Sequence, residues 1–439
     1  MAAFVAPLAA PAGRLIQSQP IRAPVNGQTP NAPARHAVSS GLGVALISAL
    51  RWRGRCQSSR KQRVQRWSKE KSSGEIAAPS YPGVEDPKKL LSFAHELCDF
   101  FRSSSRARLP KEDAMKLLLD AQRMLMQEET LVRVQVPVGE YLNVVGDVHG
   151  QLFDFLSIFE ANGWPSEENP FLFNGDFVDR GSYSVEIMLI LLAFKLALPK
   201  HFFLGRGNHE DQQMNYYYGF TGEVLAKYDA ELPVWAAFQR SFVALPLAHV
   251  VNEDVFVTHG GLPRINEISL DQIAALDRVQ VSTEQEVREE GVIYNDLMWA
   301  DPHDGSGSIG SQRGGSAKMF GADMTEQFLK RNDLSFIIRS HEVKDEGFEW
   351  QQNEKCLTVF SAPQYCDSCN NLGAVVRLHA DEADEGAKLR PEILQFDAAE
   401  KPKDYVSAMA YCRLSESLMS KALEKQRKSQ MAESGWGSS

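Results

Sequence analysis

Three apolar runs, each followed directly by a polar cluster, constrain the fold of this chain more than any other feature. The runs are Tyr141–Val145, Phe171–Phe173 and Phe202–Leu204. Short apolar runs bounded by glycine and polar residues predict buried strands. About thirty residues separate successive runs, which is the length of a strand–helix–strand crossover. Parallel strands connected in this way end at the same edge of a sheet, so we expect the three polar clusters to converge there.

The polar clusters are GDVHG at 146–150, GDFVDRG at 175–181 and RGNHE at 206–210. Three later apolar runs also end in polar residues, namely THGG at 258–261, RSHE at 339–342 and SAPQY at 361–365. A strand that ends in a single histidine usually carries a structural histidine. Two such strands, in a chain that already has three clusters of Asp, His and Asn, favour metal ligands instead.

The candidate ligands form a mixed oxygen and nitrogen donor set: Asp147, His149, Asp176, Asn208, His259 and His341. Such a set suits Mn, Fe or Zn better than Mg or Ca. Two divalent ions that share a carboxylate would clamp a phosphoryl group and lower the pKa of a bridging water toward neutrality. Asp176, from the middle cluster, is the expected bridge. A single Asp, Asn or His at such a position is ordinarily a loop side chain that bonds to the backbone. This explanation is a poor one for six such residues together.

Hydrolysis of a phosphate ester also needs a proton for the leaving oxygen and positive charge near the phosphoryl oxygens. His209 is the expected general acid, and Asp179 is expected to hold its ring and keep it protonated. Arg180 and Arg313 offer planar forks for phosphate oxygens. For Arg313, spacing alone supports a solvated loop cation about equally well.

The charge of the chain is unevenly distributed. The formal net charge of the 439 residues is −10, yet positions 1–69 contain eleven basic residues and no acidic one. The body of the chain is therefore acidic, and nothing in it predicts nucleic-acid binding. Six cysteines in a chain of this length are too few for a disulfide scaffold, which favours a reducing compartment.

The basic leader, rich in Ala, Pro, Ser and Arg, has no hydrophobic periodicity and predicts a disordered segment. Its composition is typical of an organelle transit peptide, with a plastid favoured over a mitochondrion and the cytoplasm or nucleus as the alternative compartment. A plain disordered tail, a nuclear or anion-binding run at Arg51–Lys69 and a secretory signal that includes Gly41–Leu50 are the other interpretations. Sequencing the N terminus of the mature protein distinguishes them, since an intact Met1 would exclude targeting.

The predicted organisation is a disordered leader at 1–75, a helical leader at 76–135 that packs on the catalytic domain, the catalytic domain at 136–412, and a C-terminal helix and tail at 413–439. Asp86 and Pro87 predict the start of one helix, and a second helix is predicted from Pro110 to about Glu129. Alternating valines at 132–138 predict a half-exposed strand. No apolar run reaches the roughly eighteen residues needed to span a bilayer, so no membrane span is expected.

Taken together and in this order, the clusters resemble the motifs of the phosphoprotein phosphatase family of serine/threonine phosphatases. The matching segments are GDVHG, GDFVDRG, RGNHE, HGGL at 259–262, RSHE and SAPQYCD at 361–367, and the resemblance covers about 136–412. The segments YGFTGEV at 218–224 and IRSHEVK at 338–344 are most similar to the type 5 subgroup of this family. The set of motifs is highly specific.

The resemblance implies an α/β (α+β) fold in which helices flank a central β-sandwich, a metallophosphoesterase-like arrangement with a βαβαβ metal-binding core. It implies one divalent ion on Asp147, His149 and Asp176, and a second on Asp176, Asn208, His259 and His341. It implies His209 with Asp179 as the acid pair, and phosphate contacts from Arg180, Asn208, Arg313 and Tyr365. It also implies direct attack on phosphoserine or phosphothreonine of phosphoprotein substrates by a metal-bound hydroxide, without a phosphoenzyme. Regulatory partners cannot be deduced from it.

Three departures from the family pattern affect these expectations. No 34-residue period is present in 1–135, so the tetratricopeptide repeats of the type 5 subgroup are not expected here. Gly205 and Gln364 stand where family members usually carry Leu and Asn, and both should alter loop packing without removing a ligand. Cys366 and Cys369 form a Cys-x-x-Cys sequence, which is most simply one family cysteine and a chance neighbour. As a hypothesis, the pair forms a disulfide that shifts Tyr365 and lowers activity, which equal activity in oxidising and reducing buffer would exclude.

Two other functions are compatible with parts of the sequence. A metallophosphoesterase acting on nucleotides or small phosphate esters would share the first three clusters, whereas the loops around Arg313 and at 361–367 favour a protein phosphatase. An inactive phosphatase-like scaffold is the other possibility. Because all six ligand candidates and the acid pair are present, the sequence argues against a scaffold.

Overall fold

The computed structural model describes residues 76–265, 267–281, 288–381 and 388–433. All of them belong to one compact unit, Ser72–Ser439. The predicted disordered leader at 1–75 and the predicted frayed tail after position 433 lie outside the described residues, so both stay predictions.

The helices of the described residues are α1 (Pro87–Ser103), α2 (Lys111–Leu125), α3 (Leu152–Asn162), α4 (Ser184–Ala197), α5 (Gln212–Tyr218), α6 (Phe220–Lys227), α7 (Leu232–Val243), α8 (Leu270–Ala274), α9 (Arg278–Val281), α10 (Glu289–Trp299), α11 (Ala322–Asn332) and α12 (Ser415–Glu433). The strands are β1 (Leu131–Val134), β2 (Tyr141–Val145), β3 (Phe171–Phe173), β4 (Phe202–Leu204), β5 (Ala248–Val251), β6 (Val255–Thr258), β7 (Asp301–His303), β8 (Ser308–Gly310), β9 (Lys318–Gly321), β10 (Phe336–Arg339), β11 (Phe348–Gln351), β12 (Cys356–Val359), β13 (Gly373–Ala380) and β14 (Leu389–Phe396).

Within the described ranges the strands form two large sheets and a small one. The strand orders are β1-β5-β6-β10-β12-β11, β14-β13-β2-β3-β4 and β7-β9-β8. The first three predicted strands, β2, β3 and β4, are parallel neighbours in the second sheet, as the crossover spacing predicts. The strands β6, β10 and β12 are parallel neighbours in the first sheet.

The two large sheets pack face to face through a shared apolar core. Val144 and Leu172 of the second sheet belong to the same buried cluster as Val257 and Ile338 of the first. The alternation of inward apolar residues on both sheets produces this layer, which is the usual interior of a sandwich. The predicted fold class, a β-sandwich flanked by helices, is confirmed.

Helix α4 lies on the outer face of the second sheet. It is the most deeply buried helix among the described residues. All of its residues are buried, including two charged ones. The Glu186 carboxylate accepts from Arg108 at 3.0 Å and from Lys227 at 2.6 Å, and Lys195 pairs with Glu128. These pairs compensate the charges that interrupt the apolar run at 185–198. No helix in the described part of the chain is long and apolar enough to cross a membrane.

Helices α1 and α2 share one continuous core with α4 and α7. Leu97 of α1, Leu118 of α2, Phe194 of α4 and Phe238 of α7 all belong to a single buried cluster. Asp86 caps α1 as predicted, because its side chain accepts the backbone N–H groups of the two residues after Pro87. The helical leader therefore packs against α4 and α7 and shares their apolar core.

Two predicted boundaries in this region are wrong. The second helix ends at Leu125 and not near Glu129, because tight turns at 124–128 redirect the chain into β1, which pairs with β5. The predicted strand at 132–138 is shorter, since β1 ends at Val134 and Val138 is 58% exposed. Pro137 lacks a backbone donor, and its carbonyl accepts the N–H of Glu140 in a turn that leads into β2.

Candidate metal centre

The predicted ligands meet where strands of both large sheets end. Asp147, Asp176 and Asn208 follow β2, β3 and β4 of the second sheet, whereas His259 and His341 follow β6 and β10 of the first. The crossover argument accounts for convergence within one sheet only. The sandwich brings the two sets together, because the carboxyl ends of both groups of parallel strands lie at a common seam.

One buried asparagine ties the two sheets at this seam. The side-chain amide of Asn174, directly after β3, donates to the carbonyl of Thr258 at 2.8 Å and to the hydroxyl of Ser340 at 3.0 Å. Both acceptors immediately precede a histidine of the donor set. The sequence analysis did not single out Asn174, although its place beside Gly175 marked it as part of a cluster.

The donor atoms lie close enough to hold cations. One donor atom each from Asp176, His259 and His341 lie within 4.8 Å of one another, and so do those of His149, Asp176 and His209. The distance from Nε2 of His149 to Oδ2 of Asp176 is 3.4 Å, and from Nε2 of His259 to Oδ1 of Asp176 it is also 3.4 Å. Asp176 thus belongs to both groups through different oxygens, which is what a bridging carboxylate requires.

The remaining predicted ligands complete the two groups. Oδ2 of Asp147 lies 3.7 Å from Nε2 of His149. Oδ1 of Asn208 lies 2.9 Å from Nε2 of His259, and Nδ1 of His341 lies 3.2 Å from the same atom. All six side chains are buried. The geometry therefore brings together every side chain of the predicted donor set.

Hydrogen bonds at the outer ring nitrogens orient the histidines toward the centre. Nδ1 of His149 is 2.9 Å from the carbonyl of Val178, and Nδ1 of His259 is 2.9 Å from the carbonyl of Asn174. A ring that donates its Nδ1–H to a carbonyl presents the lone pair of Nε2 to the centre. Convergent imidazole nitrogens and carboxylate oxygens are donors that fit divalent cations, so the residues present match a metal centre.

The pKa values at the centre show that it needs positive charge. Burial and the negative charge of Asp176 raise the pKa of Asp147 to about 7. Burial opposes a charged His259, but the Asp176 and Asp147 carboxylates raise the pKa of its ring to about 9. Burial lowers the pKa of His149 to about 3, so this ring is neutral and its lone pair is available. Positive charge between the two aspartates, from a proton or from a metal cation, lowers the free energy of the cluster.

The loops that carry the ligands hold several residues in the left-handed region. The φ angles are 40° at His149, 51° at Asp176, 72° at Asp179, 68° at Arg180 and 72° at His341. Such conformations raise the free energy of non-glycine residues and persist only where the surroundings fix them. Their concentration at the seam is typical of a functional site.

Glu210 is one of the groups that fix these loops. Its buried carboxylate accepts the backbone N–H groups of Asp176 at 2.8 Å, Phe177 at 2.9 Å and Gly207 at 2.8 Å. A Cβ atom at Gly207 would lie 2.3 Å from the backbone nitrogen of Asp176, so only glycine allows this approach. The sequence analysis quoted Glu210 within RGNHE but gave it no role, and only the contacts identify it as a support of the bridging ligand.

The predicted acid pair is in contact. Nδ1 of His209 lies 2.8 Å from Oδ2 of Asp179, and the Asn215 amide donates to the same oxygen at 3.1 Å. Burial alone would lower the pKa of His209, but the charges of Asp176 and Asp179 raise it above its ordinary value. The raised pKa favours the protonated ring beside the metal centre, which is the form that a proton donor requires.

The two predicted arginines are held in different ways. Arg313 is an exposed loop residue, but its side chain is held in place: its Nε and Nη2 atoms donate to the carboxylate of Asp301 at 2.6 and 3.1 Å, and Nη2 also donates to the carbonyl of His341 at 3.0 Å. Arg180 lies over the ring of Tyr218, with 3.8 Å between its guanidinium carbon and the ring centroid. Sequence reasoning gave no role to either partner: Asp301 stands in no recognised segment, and Tyr218 was noted only as the first residue of the YGFTGEV segment.

Tyr365 lies beside the centre, with 5.2 Å between its ring centroid and that of His149. The next residues hold the Cys-x-x-Cys sequence, in which both cysteines are free thiols of intermediate exposure. The redox hypothesis for Cys366 and Cys369 stays a prediction. At Gly205, a Cβ atom would make only ordinary contacts of 3.5 Å with Asn174 and His249, so this departure leaves the loop intact.

A β-sandwich with Asp, His and Asn donors at the seam of its two sheets defines the class of metal-dependent phosphoesterases. The model of the calcineurin-like phosphoesterase family matches residues 142–345. The solved structure of a protein serine/threonine phosphatase from Saccharomyces cerevisiae is 38% identical, covers 69% of this chain and 94% of its own, and superposes with a TM-score of 0.62.

Curated relatives point to the same family. Serine/threonine-protein phosphatase 5 of Solanum lycopersicum is 45% identical over 76% of this chain, and the enzyme of the same name from Homo sapiens is 43% identical over 76%. The chain belongs to the phosphoprotein phosphatase family of serine/threonine phosphatases, and its relatives include members of type 5. It spans 57% and 63% of the length of these two relatives.

Proposed function

We propose that this protein hydrolyses phosphoserine and phosphothreonine in phosphoprotein substrates. The observation that carries the proposal is the contact of His209 with Asp179 within a cluster of buried donor atoms that share Asp176. A general acid next to a dinuclear centre provides both halves of ester hydrolysis, since one side binds the phosphoryl group and the other protonates the leaving oxygen.

The residues divide naturally between two divalent ions. Asp147, His149 and Asp176 would hold one ion, and Asp176, Asn208, His259 and His341 would hold the other. When bound, such ions polarise the phosphoryl oxygens and lower the pKa of a water molecule at the centre. The mixture of imidazole, amide and carboxylate donors supports Mn, Fe or Zn.

The side chains around the centre bind and orient the phosphoryl group. Arg180 and Arg313 present guanidinium groups to its oxygens, and the Asn208 amide and the Tyr365 hydroxyl add polar contacts. The Asp301 carboxylate fixes the fork of Arg313 by two hydrogen bonds. His209 donates its Nε2 proton to the serine or threonine oxygen as the ester bond breaks, while Asp179 holds the imidazolium at Nδ1.

The experiment that tests the proposal compares substrate classes on the purified protein. Phosphoserine and phosphothreonine peptides should be turned over much faster than a phosphotyrosine peptide or a dinucleotide. A preference for the dinucleotide would identify a small-molecule metallophosphoesterase instead. The absence of turnover on every substrate, in protein whose metal content has been verified, would identify a phosphatase-like scaffold.

For the cellular location we propose a plastid. The acid-free, basic, Ala- and Pro-rich composition of the first 69 residues supports this location, with the cytoplasm or nucleus as the alternative. A fluorescent fusion of the full chain should enter plastids, and a fusion that begins at residue 76 should not. Identical distributions of the two fusions would exclude a transit peptide.

A further inference from the structure

Tyr218, the last residue of α5, contacts the proposed phosphate-binding arginine in two ways. Its ring lies 3.8 Å from the guanidinium carbon of Arg180, and its carbonyl accepts the backbone N–H of Arg180 at 3.0 Å. The ring centroid of His209 is 5.2 Å from that of Tyr218. One aromatic side chain thus touches both the arginine and the general acid.

The two proposed phosphate-binding arginines differ in how their charge is compensated. Arg313 binds the Asp301 carboxylate through two nitrogens. Among the described residues, the Nε atom of Arg180 is buried and has no hydrogen-bond partner. The face of an aromatic ring attracts a guanidinium group without neutralising its charge. Arg180 is therefore restrained in position by a contact that does not neutralise its charge.

The backbone of Arg180 is held separately, by the chain segment before α12. Arg180 is in the left-handed region at φ 68°, and its carbonyl accepts the N–H of Met409 at 2.6 Å. Nearby, the hydroxyl of Ser182 donates to the carbonyl of Ser407 at 2.6 Å. Because these bonds fix the main chain, the direction of the guanidinium group depends mainly on the Tyr218 ring.

We propose that Tyr218 is a positioning residue for phosphate recognition, whose ring holds the Arg180 guanidinium where it receives the phosphoryl group. The proposal rests on the proposed function of the site, and it adds a determinant that acts through another side chain. The face of the Tyr218 ring, and not its phenol hydroxyl, positions the Arg180 guanidinium. The contribution of Tyr218 should therefore disappear when Arg180 is removed.

The test uses four variants of the full chain, Tyr218→Leu, Tyr218→Phe, Arg180→Ala and the double variant with Tyr218→Leu and Arg180→Ala. The matched control is Tyr217→Leu, since Tyr217 is the neighbouring residue on the same helix and is 65% exposed. Three quantities are measured for each protein: the dissociation constant of inorganic phosphate by calorimetry, and kcat and KM for a phosphoserine peptide.

We expect Tyr218→Leu to weaken phosphate binding and raise KM by about fivefold, the size of one partly desolvated cation–π contact, while kcat stays near the wild-type value. Tyr218→Phe and Tyr217→Leu should behave like the wild type. In the Arg180→Ala background, Tyr218→Leu should cause no further loss of phosphate affinity. A variant that was merely misfolded would lower kcat through the active fraction and leave KM unchanged.

Three results would overturn the positioning role: wild-type phosphate affinity in Tyr218→Leu, an equal loss in Tyr218→Phe, or a full additional loss in the Arg180→Ala background. The proposed function fails separately, because phosphate affinity is measured without turnover. Phosphate binding that depends on Arg180 and Tyr218 in a protein without peptide turnover would retain the positioning role and exclude the phosphatase.

Discussion

At the scale of single residues, the site depends on neighbours that set charge and direction. Burial would lower the pKa of His209, but the charges of Asp176 and Asp179 outweigh this effect and raise the pKa above its ordinary value. The sequence identified His209 and Asp179 from their clusters, and the structure adds Asn215 as the donor to the same carboxylate. Each of these contacts can be removed by one substitution.

Replacing the general acid should abolish most of the activity without unfolding the protein. We expect His209→Asn to lower kcat by about 10² to 10⁴-fold, because the proposed proton donor to the leaving oxygen is lost. Steady-state kinetics on a phosphoserine peptide measures the loss. The control is His201→Asn, which should keep wild-type activity. His201 immediately precedes β4, whereas His209 follows the end of that strand. Normal turnover in His209→Asn would exclude the assigned role.

Asp301 should make stability depend on pH in the acid range. Burial opposes its ionisation, yet the pairs with Arg339 and Arg313 hold the pKa of Asp301 below its ordinary value of 3.8. A lowered folded-state pKa contributes stability that is fully present above the unfolded pKa and is lost as pH falls through the folded pKa.

We therefore expect Asp301→Asn to lower the free energy of unfolding by about 3 kcal/mol at pH 7, since the buried Arg339 and the more exposed Arg313 lose their carboxylate. The difference from the wild type should shrink as the pH falls below the ordinary aspartate pKa. Urea unfolding at pH 7 and pH 3 measures it, with Asp304→Asn, an exposed neighbour in the chain, as the control. A difference that stays constant with pH would contradict this account.

At the scale of elements, α1 and α2 are part of the catalytic body. The sequence predicted them as a helical leader that packs on that body, and the structure shows that they share its apolar core with α4 and α7. The leader and the metal-binding loops should therefore unfold together.

This can be tested with one core substitution far from the metal centre. Leu97 of α1 is fully buried, so Leu97→Ala should destabilise the protein by about 3 kcal/mol. The midpoints of thermal unfolding and of thermal loss of activity should fall together. Leu423→Ala on α12, where the side chain is 54% exposed, serves as the control. Loss of helix structure in Leu97→Ala at a temperature where activity persists would show that the leader is independent.

At the scale of the whole molecule, the sandwich and the metal centre depend on each other. The donor set comes from both sheets, so bound cations would link β2, β3 and β4 to β6 and β10. Ions that bind only the folded state stabilise it by mass action.

Removal of metal should therefore lower both activity and stability. We expect exhaustive chelation to abolish hydrolysis and reduce the unfolding midpoint by several degrees, and Mn²⁺ to restore both. Elemental analysis of the wild type and of Asp176→Asn, which lacks the shared carboxylate charge, measures the bound metal. Full activity in protein shown to be free of metal would contradict the dinuclear centre.

The sequence by itself determined the local parts of this protein: the parallel strands β2, β3 and β4, the donor residues at their ends and the family. These follow from local rules, because apolar runs predict buried strands and the polar residues directly after them must lie at a strand end. The prediction was weakest where the chain leaves regular structure, as at Pro137, where a turn ends the expected strand.

Only the tertiary structure decided how the two sheets meet and which side chains support the ligands. The contact of Asn174 with Ser340 joins residues far apart in the chain, that of Arg313 with Asp301 spans 12 positions of a loop-rich segment, and no local pattern specifies either. Tyr218 is the last of three consecutive tyrosines in the sequence, and only its contact with Arg180 distinguishes it from the other two. Packing of the sandwich fixes these pairs, because side-chain contacts between separate elements depend on the relative placement of whole sheets and helices.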